Sequence, residues 1–210
     1  MKGLINFLLF FLLIVCQKQL SGQSLSTEIS SMESTWAISG SYNTKLSQTS
    51  KFSFSSISRF SYGYTSDAHS RLLCMTNFGY ALTSRLKSTA GGMYTNSGGL
   101  KPSVGLQYMV VGKHITWLVF PNLNISHKSD VMTISMFQAL RDISSKTKLV
   151  GRLQSLCLLS AKGHLFSTYR FRTGFIKGRY QFGAAVDLDF YGSDFSFAQN
   201  YGAFFQYQFL

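Results

Sequence analysis

The sequence predicts an all-β fold: a closed, antiparallel, up-and-down transmembrane β-barrel of about ten strands. First, apolar and polar residues alternate with a period of two from residue 51 onward, and no comparably long run has the helical period of 3.6. Second, the alternating segments are about 10 to 13 residues long, which suits tilted membrane-spanning strands, whereas soluble strands favour about 5–6. Third, only 13% of the 210 residues are charged, although 45% are hydrophobic and 15% aromatic. An ordinary water-soluble surface is hard to build from about half the usual charge.

The N-terminal segment, residues 1–22, is predicted to be a signal peptide. Lys2 precedes an apolar run over residues 4–15, which is too short for a spanning helix of about 20 residues. We place cleavage between Gly22 and Gln23, which removes two lysines and no acid, so that the net charge falls from +12 to +10. A retained N-terminal anchor is the alternative.

The alternation is clearest over residues 179–190. One face of this segment is apolar and the other polar, because successive side chains of a strand point to opposite sides. The apolar face holds Tyr180, Phe182, Ala184, Val186, Leu188 and Phe190, and the polar face holds Arg179, Gln181, Gly183, Ala185, Asp187 and Asp189. The dipeptide Lys177-Gly178 before it predicts a tight hairpin turn, because glycine accepts a positive φ.

A soluble sandwich or a lipocalin-like barrel would turn the apolar face inward, whereas a membrane barrel turns it toward lipid. The polar face is poor in Glu and Lys and rich in Ser, Thr, Gly, Gln and Arg, which favours a hydrogen-bonded lumen. Outward aromatic residues also occur near strand ends, as an interfacial girdle requires. These are Tyr62, Tyr64, Tyr180, Phe190, Tyr201 and Phe209.

Eleven alternating segments can be counted, whereas bacterial single-chain barrels have an even number of strands. We therefore predict ten strands within residues 51–210 and assign residues 23–50 to an N-terminal extension, with residues 35–43 as a possible extra strand or plug. Twelve strands, with residues 25–32 added, is the alternative. The segments are 35–43, 51–64, 71–82, 85–94, 103–112, 114–125, 130–140, 147–159, 164–176, 179–190 and 199–210.

The inward basic residues form a charge constellation that could give the barrel a chemical role. Rings of Arg and Lys in a lumen attract anions, so the first interpretation is a small anion-preferring pore. The second is a lumen filled by ion pairs and hydroxyl contacts, because a barrel of this size is narrow. The cluster comprises Arg59, Arg85, Lys87, Arg152, Arg170, Arg172, Arg179, Asp187 and Asp189.

Residues 35–210, and residues 201–210 in particular, resemble a small Gram-negative outer-membrane β-barrel protein of the Bacteroidota type. In that class the last strand ends in an aromatic residue and is recognised by the barrel-assembly machinery. The corresponding assembly signal here comprises Tyr201, Phe205, Tyr207 and Phe209, although Leu210 follows the last aromatic. The resemblance implies an outer-membrane location, contact with outer-membrane lipid, and either a structural or accessory role with a possible protein partner or a pore.

The sequence predicts no enzyme, no cofactor, no metal site and no nucleic-acid partner. No nucleophile motif is present, and the basic residues are spread along the chain instead of clustering on one face. A lipase- or acyltransferase-type outer-membrane enzyme is the least favoured alternative. His69, His114, His127 and His164 lie near predicted turns and match no metal-ligand spacing.

The sequence predicts neither a lipid anchor at Cys16 nor a disulfide between Cys74 and Cys157. The bulky Val15 before Cys16 disfavours a lipoprotein signal. Cys74 and Cys157 fall on apolar strand faces, which favours buried or lipid-facing thiols over a disulfide.

Overall fold

A computed structural model describes residues 24–64, 70–96, 98–125 and 130–209 of the protein. Twelve antiparallel strands form one closed barrel in this part of the chain. The strands are β1 (Ser24–Met32), β2 (Thr35–Lys45), β3 (Phe52–Gly63), β4 (Arg71–Ala81), β5 (Leu86–Thr95), β6 (Gly99–Val111), β7 (Ile115–Asn124), β8 (Asp130–Ser144), β9 (Thr147–Ser160), β10 (Gly163–Lys177), β11 (Tyr180–Tyr191) and β12 (Ser196–Gln208).

The prediction of about ten strands is wrong, and the alternative of twelve is confirmed. The segment assigned to an extension contributes two full strands of the wall, because β1 pairs with β2 on one side and with β12 on the other. The register of the closing pair runs from Ser26 opposite Gln208 to Met32 opposite Gly202. Without β1 the hydrogen-bonding groups of β12 would remain an open edge, which lipid does not tolerate.

The two ends of the barrel are defined by the chain termini. The end that holds the start of β1 and the end of β12 is called the proximal end. It also carries the short turns at 82–85, 112–114 and 178–179. The distal end carries the connections at 64–70 and 192–195. This is the grouping of turns and loops that antiparallel order predicts. Gly178 adopts φ +61° in its turn, as the Lys177-Gly178 dipeptide indicated.

The outer surface of the barrel is apolar and aromatic. Phe78 is 59% exposed, and Phe54 lies edge-to-face against it with ring centroids 5.3 Å apart. Similar neighbouring rings recur on other strands, for example Tyr180 beside Tyr207 at 5.2 Å. A surface of this composition is suited to lipid and not to water. No helix in the described ranges is long and apolar enough to cross a membrane.

Cys74 on β4 and Cys157 on β9 are free, half-buried thiols on strands that are not neighbours in the barrel. The predicted signal peptide, with Cys16, lies outside the described residues, as do His69 and His127.

Candidate functional site

The interior of the barrel contains a charged cluster centred on two carboxylates. Glu28 on β1 accepts hydrogen bonds from two arginines: Arg152 on β9 donates from Nη2, and Arg172 on β10 donates from Nε at 3.0 Å. These side chains are 10%, 6% and 0% exposed, respectively. Charges so far from water are tolerated only when they are paired and hydrogen-bonded, and the geometry here provides both.

Asp187 on β11 is the second carboxylate of the cluster. Its Oδ1 accepts from Nη1 of Arg172 at 2.7 Å, and its Oδ2 accepts from Nη2 of Arg59 at 3.0 Å. Arg59 lies on β3, so this ion pair joins strands that are four positions apart around the barrel. Arg172 therefore bridges both carboxylates, and the network spans the lumen.

The cluster contains more positive than negative charge. Four arginines face two carboxylates, and Arg170 has only a 4.0 Å contact from its Nε to Oδ2 of Asp187. Buried donor atoms of Arg152, Arg170 and Arg172 also have no hydrogen-bond partner among the described residues. The interior is therefore electropositive in spite of its ion pairs.

A second group of charges lies toward the distal end. Arg71 donates to Asp189 at 3.2 Å and to the hydroxyl of Tyr191, and its guanidinium lies 5.0 Å from the ring centroid of Phe166. These contacts connect β4 to β10 and β11 at the distal end of the lumen. Asp189 is thus paired separately from the central cluster.

The other side of the lumen is apolar. Met75, Met93, Phe120 and Met132 form a buried cluster, and each is 0–4% exposed. Partly buried Ile57, Leu73, Ile134, Leu156 and Leu158 pack against it. Since a single sheet encloses the lumen, residues so deeply buried must fill it. The interior is therefore filled by ion pairs on one side and by methionine and aliphatic side chains on the other.

The structure brings together six of the nine residues predicted for the lumen. Arg59, Arg152, Arg170, Arg172, Asp187 and Asp189 lie in the interior networks. Arg85 and Arg179 are exposed in proximal turns, where strand parity no longer determines which way a side chain points, and their assignment to the lumen is corrected. Lys87 lines a cavity at the proximal mouth.

Sequence reasoning missed Glu28 and Arg71. Glu28 was overlooked because its segment was assigned to an extension. Acidic residues are rare in this chain, so its presence was a usable signal. Arg71 begins its strand directly after residues that read as a loop, so its inward direction was not evident.

His164 is hydrogen-bonded on both ring nitrogens. Its Nδ1 lies 2.7 Å from the carbonyl oxygen of Gly192, which can only accept, so Nδ1 carries the proton and Nε2 accepts from the Ser167 hydroxyl at 2.7 Å. A register shift between His164 and Phe166 places the two side chains on one face. Phe195 stacks on the imidazole, and Ser167 is 5% exposed. The serine hydroxyl is therefore buried and is not accessible to bulky substrates.

The four residues of the predicted assembly signal share the outward face of the last strand and its end. Tyr207 contacts Tyr180 at 5.2 Å and Phe209 at 4.7 Å between ring centroids, and Phe205 lies 5.9 Å from Tyr180. Tyr201 is 48% exposed. The recognition of this strand by assembly machinery stays a prediction.

Among the described residues, no group of three or more His, Cys, Asp or Glu side chains is arranged to hold a metal ion.

No protein-family model and no curated protein matches the chain. Solved structures resemble it in fold. A NanC porin is 11% identical, with a TM-score of 0.51 over 89% of this chain and 100% of that chain. A KdgM porin is 10% identical, with a TM-score of 0.50 over 89% and 99%. LpxR from Salmonella typhimurium is 8% identical, with a TM-score of 0.50 over 88% and 99%. At these identities the likeness extends to the transmembrane barrel fold alone.

Proposed function

We propose that the protein is an integral outer-membrane β-barrel with a closed resting lumen and a structural or accessory role in the envelope. The observation that supports this function is the ionic network of Glu28, Arg59, Arg152, Arg172 and Asp187, which crosses the lumen beside the buried methionine cluster. Paired and buried side chains leave little room for hydrated ions. The partners we propose are outer-membrane lipid, the barrel-assembly machinery and an envelope protein.

The test is electrical and biochemical. Protein refolded into planar bilayers is expected to give no stepwise conductance under either polarity, although the same sample shows heat-modifiable migration that reports a folded barrel. Regular conductance steps from folded protein would contradict the closed lumen. Fractionation with the inner membrane or with the soluble periplasm would contradict the location.

A small anion-preferring pore is the second candidate. The excess of four arginines over two carboxylates in the central cluster favours it, as do two structural neighbours that are porins, NanC and KdgM. This candidate requires conductance steps with a reversal potential displaced toward that of chloride. The preference must fall in Arg170→Ala/Arg172→Ala and persist in Lys113→Ala, which removes a cation from a proximal turn instead of the lumen.

A further inference from the structure

Charge is distributed very unevenly between the two ends of the barrel. In the proximal turns and the four adjoining positions of each strand, the structure describes ten lysines and arginines and one carboxylate, Asp142. The described distal turns and strand ends, counted in the same way, hold three cations and four carboxylates. The proximal rim is therefore strongly electropositive, and none of its ten cations is part of the central network.

One cavity is built into this rim. It has a volume of about 390 Å³ and lies between the turn from β2 to β3 and the turn from β4 to β5. Lys45, Lys51 and Lys87 line it from three different segments, and no carboxylate is among its lining residues in the described chain. Three lysines that line one cavity without a counter-charge repel one another, so an anion between them is stabilised.

Two hydroxyl groups of the cavity are available as donors. Ser50 Oγ accepts the backbone N–H of Phe52 at 2.9 Å, and Thr83 Oγ1 accepts that of Leu86 at 3.0 Å. Each hydroxyl keeps its own O–H, which can donate to a ligand. The cavity thus combines ammonium and hydroxyl donors, which suits a ligand with several charged oxygen atoms.

We propose that this cavity, the proximal lysine pocket, binds a phosphate group. A phosphate monoester presents three acceptor oxygens and about −1.5 to −2 charge, a diphosphate presents more of both, and lysine is a common point-charge partner for phosphate. A single carboxylate would leave most of the charge of three lysines uncompensated. The phosphate can come from a lipid headgroup at the membrane surface or from a soluble phosphate compound. Binding at this rim is independent of whether the lumen conducts.

The experiment uses the full barrel without its signal peptide, folded in phosphatidylcholine nanodiscs. Inorganic pyrophosphate is titrated by calorimetry to test the soluble source. Retention of phosphatidic acid, whose headgroup is a phosphate monoester, relative to phosphatidylcholine, measured by native mass spectrometry from mixed micelles, tests the headgroup source. The pocket variant is Lys45→Gln/Lys87→Gln, and the matched control is Lys113→Gln/Lys146→Gln, which removes two rim lysines outside the pocket. Lys51→Gln, in a turn, is a second pocket variant.

We expect one saturable equivalent of pyrophosphate or of phosphatidic acid, with affinity reduced about tenfold or more in both pocket variants and about twofold or less in the control. Pyrophosphate binding identifies the soluble source, and selective lipid retention identifies the headgroup. An equal loss of affinity in the pocket and control variants would mean that the diffuse charge of the rim binds the anion, and it would overturn the proposal. Absence of binding in both arms, with folding verified by gel mobility, would overturn it as well.

Discussion

Arg172 on β10 and Glu28 on β1 are joined by a 3.0 Å hydrogen bond inside the barrel, although 144 residues separate them in the chain. Arg172 is fully buried and also donates to Asp187 at 2.7 Å. The strand that closes the barrel is therefore tied by side chains to β10, three positions away around the wall, in addition to its backbone pairing with β12. Closure and lumen chemistry depend on the same residues.

Removing the Glu28 charge is expected to destabilise the barrel strongly. In Glu28→Gln, Arg152 loses its ion-pair partner while Arg172 keeps Asp187, and leaving a buried cation unpaired costs about 3–5 kcal/mol. The urea midpoint for loss of the heat-modifiable form should fall clearly. Asp142→Asn is the control, because its pair with Lys148 at 3.5 Å is about half-exposed and is worth about 1 kcal/mol or less. Equal stability of the two variants would contradict a structural role for the Glu28 network.

The barrel class could be predicted from sequence because the side-chain period survives in eleven of the twelve strands. Alternation over residues 179–190 places Asp187 and Phe182 on opposite faces, as the structure confirms. The β1 sequence SLSTEISSM is different, because small polar side chains occupy both faces and reduce the contrast. Because its two faces differ so little in polarity, β1 was not recognised as a strand, and the number of strands was predicted wrongly.

The composition of the central cluster was predictable only in part. Parity shows that Arg170 and Arg172 point inward, but it does not show which acid they meet. The Arg152 and Glu28 partners are 124 residues apart, and their contact depends on the closed order of the strands. The apolar side of the lumen was also missed, because Met75 shares the strand parity of Asn77 and Gly79, a face that reads as polar.

Truncating a methionine side chain of the buried cluster is expected to destabilise the barrel. Met75 is 0% exposed at the centre of the cluster, so Met75→Ala removes packing that the enclosing wall cannot replace by collapsing. We expect a loss of about 2–5 kcal/mol in the free energy of unfolding, measured by urea titration in detergent micelles. Leu100→Ala, at a distal strand end and 74% exposed, is the control and should change little. A neutral Met75→Ala would mean that the lumen is not tightly packed there.

Two glycines allow β10 and β11 to approach closely. Gly174 pairs with Gly183, and a Cβ on Gly183 would lie 2.0 Å from the carbonyl oxygen of Thr173. Because that atom belongs to the backbone, Gly183→Ala should reduce the yield of folded barrel in refolding assays. Gly151→Ala is the matched control, since nothing lies within 4 Å of the added methyl group on β9. Equal yields from the two variants would argue against a steric constraint at this pair.

The proposed assembly signal predicts a difference between folding in cells and in vitro. Phe209→Ser removes the last aromatic of the outward row, so insertion into the outer membrane should fall severalfold in cells. Refolding of the same variant into micelles should change little, because Phe209 lies beyond the last strand residue, Gln208. Phe197→Ser, at the distal start of β12, keeps the terminal row and is the control. A Phe209→Ser variant that inserts normally would remove the support for this signal.

Serine-directed reagents test the prediction that the barrel is not a hydrolase. Nε2 of His164 accepts from Ser167, an arrangement that can activate a nucleophile, but Ser167 is 5% exposed beneath its neighbours. We therefore expect no labelling of the folded barrel by a fluorophosphonate probe in phospholipid nanodiscs. Labelling that disappears in Ser167→Ala would contradict this and assign a reactive serine to the distal outer rim. Phe195→Gly, which removes the ring stacked 4.4 Å from the imidazole, tests whether that ring provides the cover. If it does, the hydroxyl becomes accessible in this variant while the hydrogen bond between His164 and Ser167 is retained.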